Sequence, residues 1–370
     1  MKNTLFEINI RVFVLTFTLL VTNVLSQLAT INLPVTLVEL GTQVEPVKTG
    51  LTYCEGPLVD SKGNLFFSEQ NKGIVWKVTP AGVSSQWRTG IDTPNGMDIG
   101  ITGDIICCEN QRLTRLDTNG AVLEVIVKNA AYGKINDLTL NINGALFFTN
   151  NDNNFFFRSP SGTVTTFSNY NVNGIEWVEE KNYLYLNMCN ANKVAKFSLN
   201  DSGAIDINSR KDIVSLVRIP DGITVDADYN IYVASYDAGK IFVYDSTGKT
   251  LGDITMKQGG TTSGNTSNCV FGGKEFKTLY ITGNGGAYKI TLKVAGRKRP
   301  QATRIIPRKS LQSAPGSFEN GQTQRMIMDM RGRVVGPTTG VFQNANFAHG
   351  KYITVNKRAH AVSHLDAHLK

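Results

Sequence analysis

Six oxygen-bearing side chains recur at one phase of a repeated pattern: Glu55, Asn95, Asn136, Asn173, Asp221 and Asn268, spaced by 40, 41, 37, 48 and 47 residues. They open the segments Glu55-Gly56-Pro57, Pro94-Asn95-Gly96, Asn136-Asp137, Asn173-Gly174-Ile175, Pro220-Asp221-Gly222 and Asn268-Cys269-Val270. Each segment leads into an alternating strand, a Gly or Asn turn, and further strands rich in Leu, Tyr, Phe and Val. A single Asn or Asp at a strand end usually starts a turn. Six at one phase imply convergence. Two carboxylates and four amides, with no soft ligand among them, suit a hard divalent cation: Ca²⁺ first, with Mg²⁺, Mn²⁺ and Zn²⁺ as alternatives.

Convergence requires elements that repeat. Units of about 45 residues are long enough for a four-stranded antiparallel blade, and no stretch of the body shows the 3.6-residue period of a long helix. Six such units between residues 27 and 295 predict an all-β, six-bladed β-propeller, in which residues of equal phase ring one mouth of the channel. An open ring would leave an exposed sheet edge at each end. The strand-like stretch 35–47 is therefore the expected donor of the outermost strand to the last blade. Two stacked sandwiches are the alternative, but sandwiches do not repeat one motif six times.

Composition narrows the chemistry. The chain has 370 residues, 41% apolar and 18% charged, with 35 Gly, so it folds with many turns. Its net charge of +8 resides in the tail, where residues 296–370 hold 13 basic and 3 acidic side chains. Residues 27–295 carry −3, which argues against a nucleic-acid partner for the body. His349, His360, His364 and His368 also lie in the tail, so the body has neither Ser-His-Asp nor Cys-His chemistry of its own, nor an imidazole for zinc. Cys54, Cys107, Cys108, Cys189 and Cys269 are too scattered for a disulfide framework. One Cys54–Cys269 disulfide is conceivable, and buried free thiols are the plainer expectation.

At the amino terminus, Lys2 and Arg11 precede the uncharged run from Val12 to Leu25, and Val24-Leu25-Ser26 precedes Gln27. Residues 1–26 read as a cleaved signal peptide of a secreted or extracellular protein, with cell-surface attachment as the variant. The run falls short of the roughly 20 apolar residues of a membrane span. The sequons at Asn200 and Asn265 carry glycans only in a eukaryotic secretory pathway.

These motifs resemble the regucalcin and gluconolactonase superfamily, which includes luciferin-regenerating and diisopropyl fluorophosphatase-like proteins. The resemblance covers about residues 36–292. It rests on Glu55-Gly56-Pro57, Pro94-Asn95-Gly96, Ile135-Asn136-Asp137 with Gly144 and Phe147-Phe148-Thr149, Asn173-Gly174, Pro220-Asp221-Gly222, and Asn268 to Gly273 leading to Thr278-Leu279-Tyr280-Ile281-Thr282. It implies a cation held by Glu55, Asn173 and Asp221, with Asn136 as a further ligand or a substrate contact. A basic residue two positions before that Asn helps hold the substrate in related lactonases, and Lys134 stands there. Lys is a point charge where Arg is a planar fork, so substrate recognition need not carry over. Asn95 and Asn268 complete the substrate-facing set.

The expected activity is metal-dependent opening of a sugar lactone or similar small ester. The cation polarises the carbonyl and acidifies water, and Asp221 is the catalytic proton acceptor. A non-catalytic secreted binding or scaffold propeller is the alternative, and phosphotriester hydrolysis ranks below both. From Arg297-Lys298-Arg299-Pro300 onward, residues 296–370 read as a basic linker and tail. The segments 325–335 and 350–355 look like the strands of a small β-type sorting domain, which would engage secretion machinery. His360, His364 and His368 would form one stripe on a terminal helix.

Overall fold

The hairpins follow a short recurring code, Asx or Ser followed three residues later by Gly. Asp60 Oδ1 accepts from the backbone N–H groups of Lys62 (2.9 Å) and Asn64 (2.8 Å). Asn141 Oδ1 accepts likewise from Asn143 (3.0 Å) and Ala145 (3.0 Å). The position two residues before the second strand takes a positive φ, as at Gly144 (φ 80), which an L side chain adopts only under strain. Asp226 builds the same turn with Tyr229 at φ 62 in place of glycine.

The computed structural model describes residues 28–298 apart from 101, 151, 201–202, 216–217 and 258–263, together with four strands of the tail. The expected signal peptide lies outside the described residues. The fold is an all-β propeller whose antiparallel units follow the repeats, but among the described residues the hydrogen-bonded sheets of the body number five, not six. Three have four strands, starting at Met97–Ile99, Ile135–Leu140 and Val172–Val178. A fourth starts at Pro220–Val225 and gains Ala29–Asn32 as a fifth strand, paired with Thr250–Met256.

The remaining sheet has six strands and contains the first and last repeats together. The cause is Glu45–Val59, whose beginning pairs with Thr278–Thr291 and whose end pairs with Leu65–Glu69. One continuous strand thus leaves the last repeat and enters the first. It closes the ring much as expected, although the closing strand starts at Glu45 and residues 35–44 form turns instead. Between sheets the core is aromatic and aliphatic. Phe147 of one sheet meets Trp177 of the next edge-on, with centroids 5.3 Å apart, and Leu184, Leu186 and Phe197 pack around them.

All five cysteines are free, and Cys54, Cys107, Cys108 and Cys269 are buried, so the Cys54–Cys269 disulfide does not form. The chain divides into units 1–305 and 306–370, and the propeller unit runs past the expected limit at 295. Arg297, placed by sequence in the basic linker, is buried in the body. The described tail strands, Gln324–Met328, Val334–Gly336, Ile353–Lys357 and Ala367–Leu369, form one antiparallel sheet. His368 lies on a strand opposite Thr354, which excludes the expected helical stripe there; His360 and His364 are outside the described residues. Among the described residues no helix is long and apolar enough to cross a membrane.

Candidate functional site

Asn136, Asn173 and Asp221 stand second in their innermost strands and Asn268 third, Asn95 lies two residues ahead of Met97–Ile99, and Glu55 sits inside the long strand Glu45–Val59. At Asn95, Asn173 and Asp221 the carbonyl is gripped by a polar side chain on the second strand of the preceding repeat. Ser68 Oγ donates to the Asn95 carbonyl (3.2 Å), Thr149 Oγ1 to that of Asn173 (2.7 Å), and Asn187 Nδ2 to that of Asp221. The glycine after the ring residue allows the close approach. A Cβ on Gly56 would collide with the Asn95 carbonyl, and one on Gly174 with that of Asp221.

This stitching brings Glu55, Asn95, Asn136, Asn173 and Asp221 to one cavity of about 280 Å³. Tyr53, Gln70, Cys189, Ile219 and Tyr236 share its lining. Two residues expected at the site stand apart from it. Asn268 is buried beside the cavity, where its amide reaches the Asp137 carboxylate (3.5 Å) and Glu55. Lys134 is exposed, bridges to Asn110, and does not line the cavity.

The two carboxylates are close neighbours. Tyr53 Oη donates to Glu55 Oε1 at 2.9 Å and lies 3.5 Å from Asp221 Oδ2. Glu55 Oε2 accepts from the Gly56 N–H at 3.1 Å, and the Asn173 amide hydrogen-bonds the Asp221 carboxylate. Burial pushes Glu55 up to about 7, with the Asp137 charge adding to it and the Tyr53 hydrogen bond opposing it. Asp221 is raised well above the usual carboxylate range by burial first and then by Glu55 and Asp137. Burial likewise pushes the Cys189 thiol up to about 12, too high for a resting nucleophile.

The donor set fits a hard dication. Asp221 Oδ1 and Asn95 Oδ1 are buried acceptors without a hydrogen-bond partner, and both belong to cavity-lining residues. Among the described residues no three His, Cys, Asp or Glu side chains gather as a metal site, so an ion here would rest on two carboxylates supplemented by neutral amide oxygens. Sequence reasoning missed Tyr53, Gln70, Cys189, Ile219 and Tyr236. Their signal was weak, because each lies outside the repeated motif: Tyr53 within the strand Glu45–Val59, the other four at strand ends or in connections.

Comparison with known proteins bears on the family and the fold. The sequence profile described as SMP-30/Gluconolactonase/LRE-like region matches residues 53–284. The lactonase drp35 of Staphylococcus haemolyticus is 25% identical over 225 residues, covering 55% of this chain and 69% of that protein. Human regucalcin is 31% identical over 115 residues, covering 30% of this chain and 36% of regucalcin, so the match spans little more than a third of that relative. Two solved structures share the fold. A gluconolactonase from Xanthomonas campestris superposes with a TM-score of 0.63 at 20% identity, covering 71% of this chain and 95% of its own. A calcium-binding regucalcin from Agrobacterium tumefaciens gives 0.61 at 15%, covering 71% and 98%.

Proposed function

The chain belongs to the SMP-30/gluconolactonase/LRE-like family, and from that premise we propose that it opens the ring of a small lactone with a divalent cation, Ca²⁺ first, held by Glu55, Asn173 and Asp221. The observation that carries the metal dependence is the buried carboxylate pair, which among the described residues has no cationic side chain in the cavity lining beside it, and one of whose oxygens lacks a partner there. Two desolvated carboxylates are costly without a counter-charge, and a dication supplies it. When bound, the cation provides Lewis acidity toward the lactone carbonyl and lowers the pKa of water.

The chain's own residues do the rest. Tyr53 holds Glu55 in place through its hydroxyl. Asp221 accepts the proton of the attacking water through the carboxylate oxygen that a cation leaves free. Asn95 and Asn136 face the cavity as hydrogen-bonding partners for the substrate. Lys134, outside the lining, takes no part in holding it. Residues 1–26 direct export, which sequencing the amino terminus of the secreted protein tests: a mature chain starting at Gln27 is expected.

The decisive assay is hydrolysis of a lactone panel by the purified protein, before and after exhaustive chelation and after return of Ca²⁺, Mg²⁺, Mn²⁺ or Zn²⁺. Turnover lost on chelation and restored by one of these ions is the expected result. Turnover that survives chelation refutes the metal dependence, and no turnover on any lactone refutes the lactonase reading.

A further inference from the structure

The cavity lining is uneven. Gln70, Asn95, Asn136, Asn171 and Asn173 present amides from the first four repeats, whereas Tyr53, Ile219 and Tyr236 bring an arc of larger, partly apolar surface. The arc is accessible: Ile219 is 43% exposed and Tyr236 38%. Tyr53 and Tyr236 stand edge to face with centroids 5.9 Å apart.

Ile219 is held at the rim by its backbone. Its φ is 36, a left-handed conformation in which a β-branched residue is strained. Two hydrogen bonds clamp it there. Its N–H donates to Asn192 Oδ1 (2.9 Å), and its carbonyl accepts from the Tyr236 N–H (3.1 Å). Turn chemistry alone would favour Gly or Asn at such a φ, and backbone strain of this kind collects at ligand sites. Charge points the same way, since among the described residues no Lys or Arg lines the cavity. Arg218, the neighbour of Ile219, pairs with Asp237 at 3.1 Å instead.

We propose that the arc of Ile219, Tyr236 and Tyr53 seats an apolar substituent, so that the preferred ligand is an uncharged lactone bearing a short alkyl chain. The 280 Å³ volume lies just below the usual small-molecule range, enough for a lactone ring with a short chain and too little for a peptide or an oligosaccharide. The inference deepens the lactonase reading and rests on it for turnover, while binding alone can be tested without it.

The experiment pairs δ-valerolactone with δ-decalactone, which adds a pentyl chain to the same ring, and their lactam counterparts, 2-piperidone and 6-pentyl-2-piperidone. Calorimetric titration of the full chain with the two lactams is expected to show the pentyl compound binding at least about tenfold tighter, since apolar burial favours association by several-fold for each methylene seated. Ile219→Asn keeps a residue type that tolerates positive φ and removes the apolar surface; it should bring the ratio near one, as should Tyr236→Ser. Because the ratio compares two ligands on the same variant, partial loss of folded protein does not move it. Equal affinity for the two lactams, no binding of either, or a ratio unchanged in both variants overturns the inference. A pentyl preference without turnover of either lactone leaves the apolar seat standing and refutes the lactonase reading. Turnover of both lactones at equal kcat/KM, with equal lactam affinities, does the reverse.

Discussion

Two pairs of acidic side chains in the propeller are treated in opposite ways. Arg297 reaches from the end of the body to Glu176 at 2.6 Å and Glu180 at 3.0 Å, and donates also to the Trp177 carbonyl at 2.8 Å. Its side chain and that of Glu176 are almost wholly buried. Glu55 and Asp221 sit just as deep but meet a phenol, amides and one backbone N–H. Where a buried carboxylate is structural, the chain brings an arginine from 121 residues away. At the cavity the described residues bring no such cation to Glu55 and Asp221, and the proposed partner is an ion from solution. A single buried acid is weak ground for a function; the contrast between the pairs is stronger, because it shows that this fold can supply a cation and withholds it at the cavity.

The largest effect that would break the contrast is at the cavity. Asp221→Ala and Glu55→Gln are each expected to lower kcat/KM on a lactone by about 10³-fold, the scale of losing a main electrostatic stabiliser in a site. Circular dichroism should remain that of the wild type. In chelated protein both variants should melt no lower than wild type, since each removes a buried charge that nothing compensates. Wild-type turnover in Asp221→Ala would end the case for this pair as the centre of the site.

At the other pair the expectation inverts. Arg297→Ala should destabilise the protein by about 3 kcal/mol, because it leaves Glu176 buried without its guanidinium. Adding Glu176→Gln should recover part of the loss. Truncation after Ala295 should behave like Arg297→Ala, and truncation after Lys298 should not, a difference that urea melts read directly. Equal midpoints for the two truncations would mean that Arg297 is a bystander.

The two pairs also differ in how legible they were from sequence. Glu55 and Asp221 were found because their phase is written six times, and the devices that position them, Gly after the ring residue and the Asx-x-x-Gly hairpin, are local. Arg297 was misread as linker because Arg-Lys-Arg-Pro looks like a solvated run, and its partners lie more than a hundred residues back. The single strand Glu45–Val59 escaped for a related reason. Only its first residues fell in the stretch 35–47 expected to close the ring, and its pairing passes from Thr278–Thr291 to Leu65–Glu69 between Tyr53 and Cys54, a handover that no repeat records. Periodicity reveals what repeats; it cannot reveal a unique contact that closes the ring or locks its end.

Acidity gives a further way to sharpen the contrast. In the absence of a cation Glu55 titrates at about 7 in the fold against an ordinary 4.5, so between those values the folded form holds the extra proton. Its contribution to stability is therefore greatest below pH 4.5 and declines as pH rises toward 7. Burial raises Asp137 to about 7 as well, with the same sign. A bound dication removes this decline by taking the proton's place. The stabilisation from added Ca²⁺ should then be larger at pH 8 than at pH 5, by about 2 kcal/mol, with protons released on binding at the lower pH. Calorimetry in two buffers of different ionisation enthalpy measures that release. A cation effect that does not change with pH would place the ion elsewhere.

The smallest expected effect isolates the phenol that stands in for a counter-charge. Tyr53 Oη is 2.9 Å from Glu55 Oε1 and 3.5 Å from Asp221 Oδ2, so it orients one carboxylate and faces the other without being able to neutralise either. Burial and the two neighbouring carboxylates push its own pKa far above the ordinary value, which keeps it a neutral donor throughout the working range. Partners that orient ligands in this way typically contribute 10- to 100-fold to metal affinity. Tyr53→Phe keeps the ring and its edge-on contact with Tyr236 while deleting the donor, so packing is preserved and only the orientation of Glu55 is lost. Cation affinity should fall by about tenfold, near the lower end of that range, because the Gly56 N–H still fixes the second oxygen of Glu55. At saturating cation kcat should return close to wild type, which separates a residue that positions a ligand from one that reacts. Unchanged affinity in Tyr53→Phe would mean that the backbone alone orients Glu55.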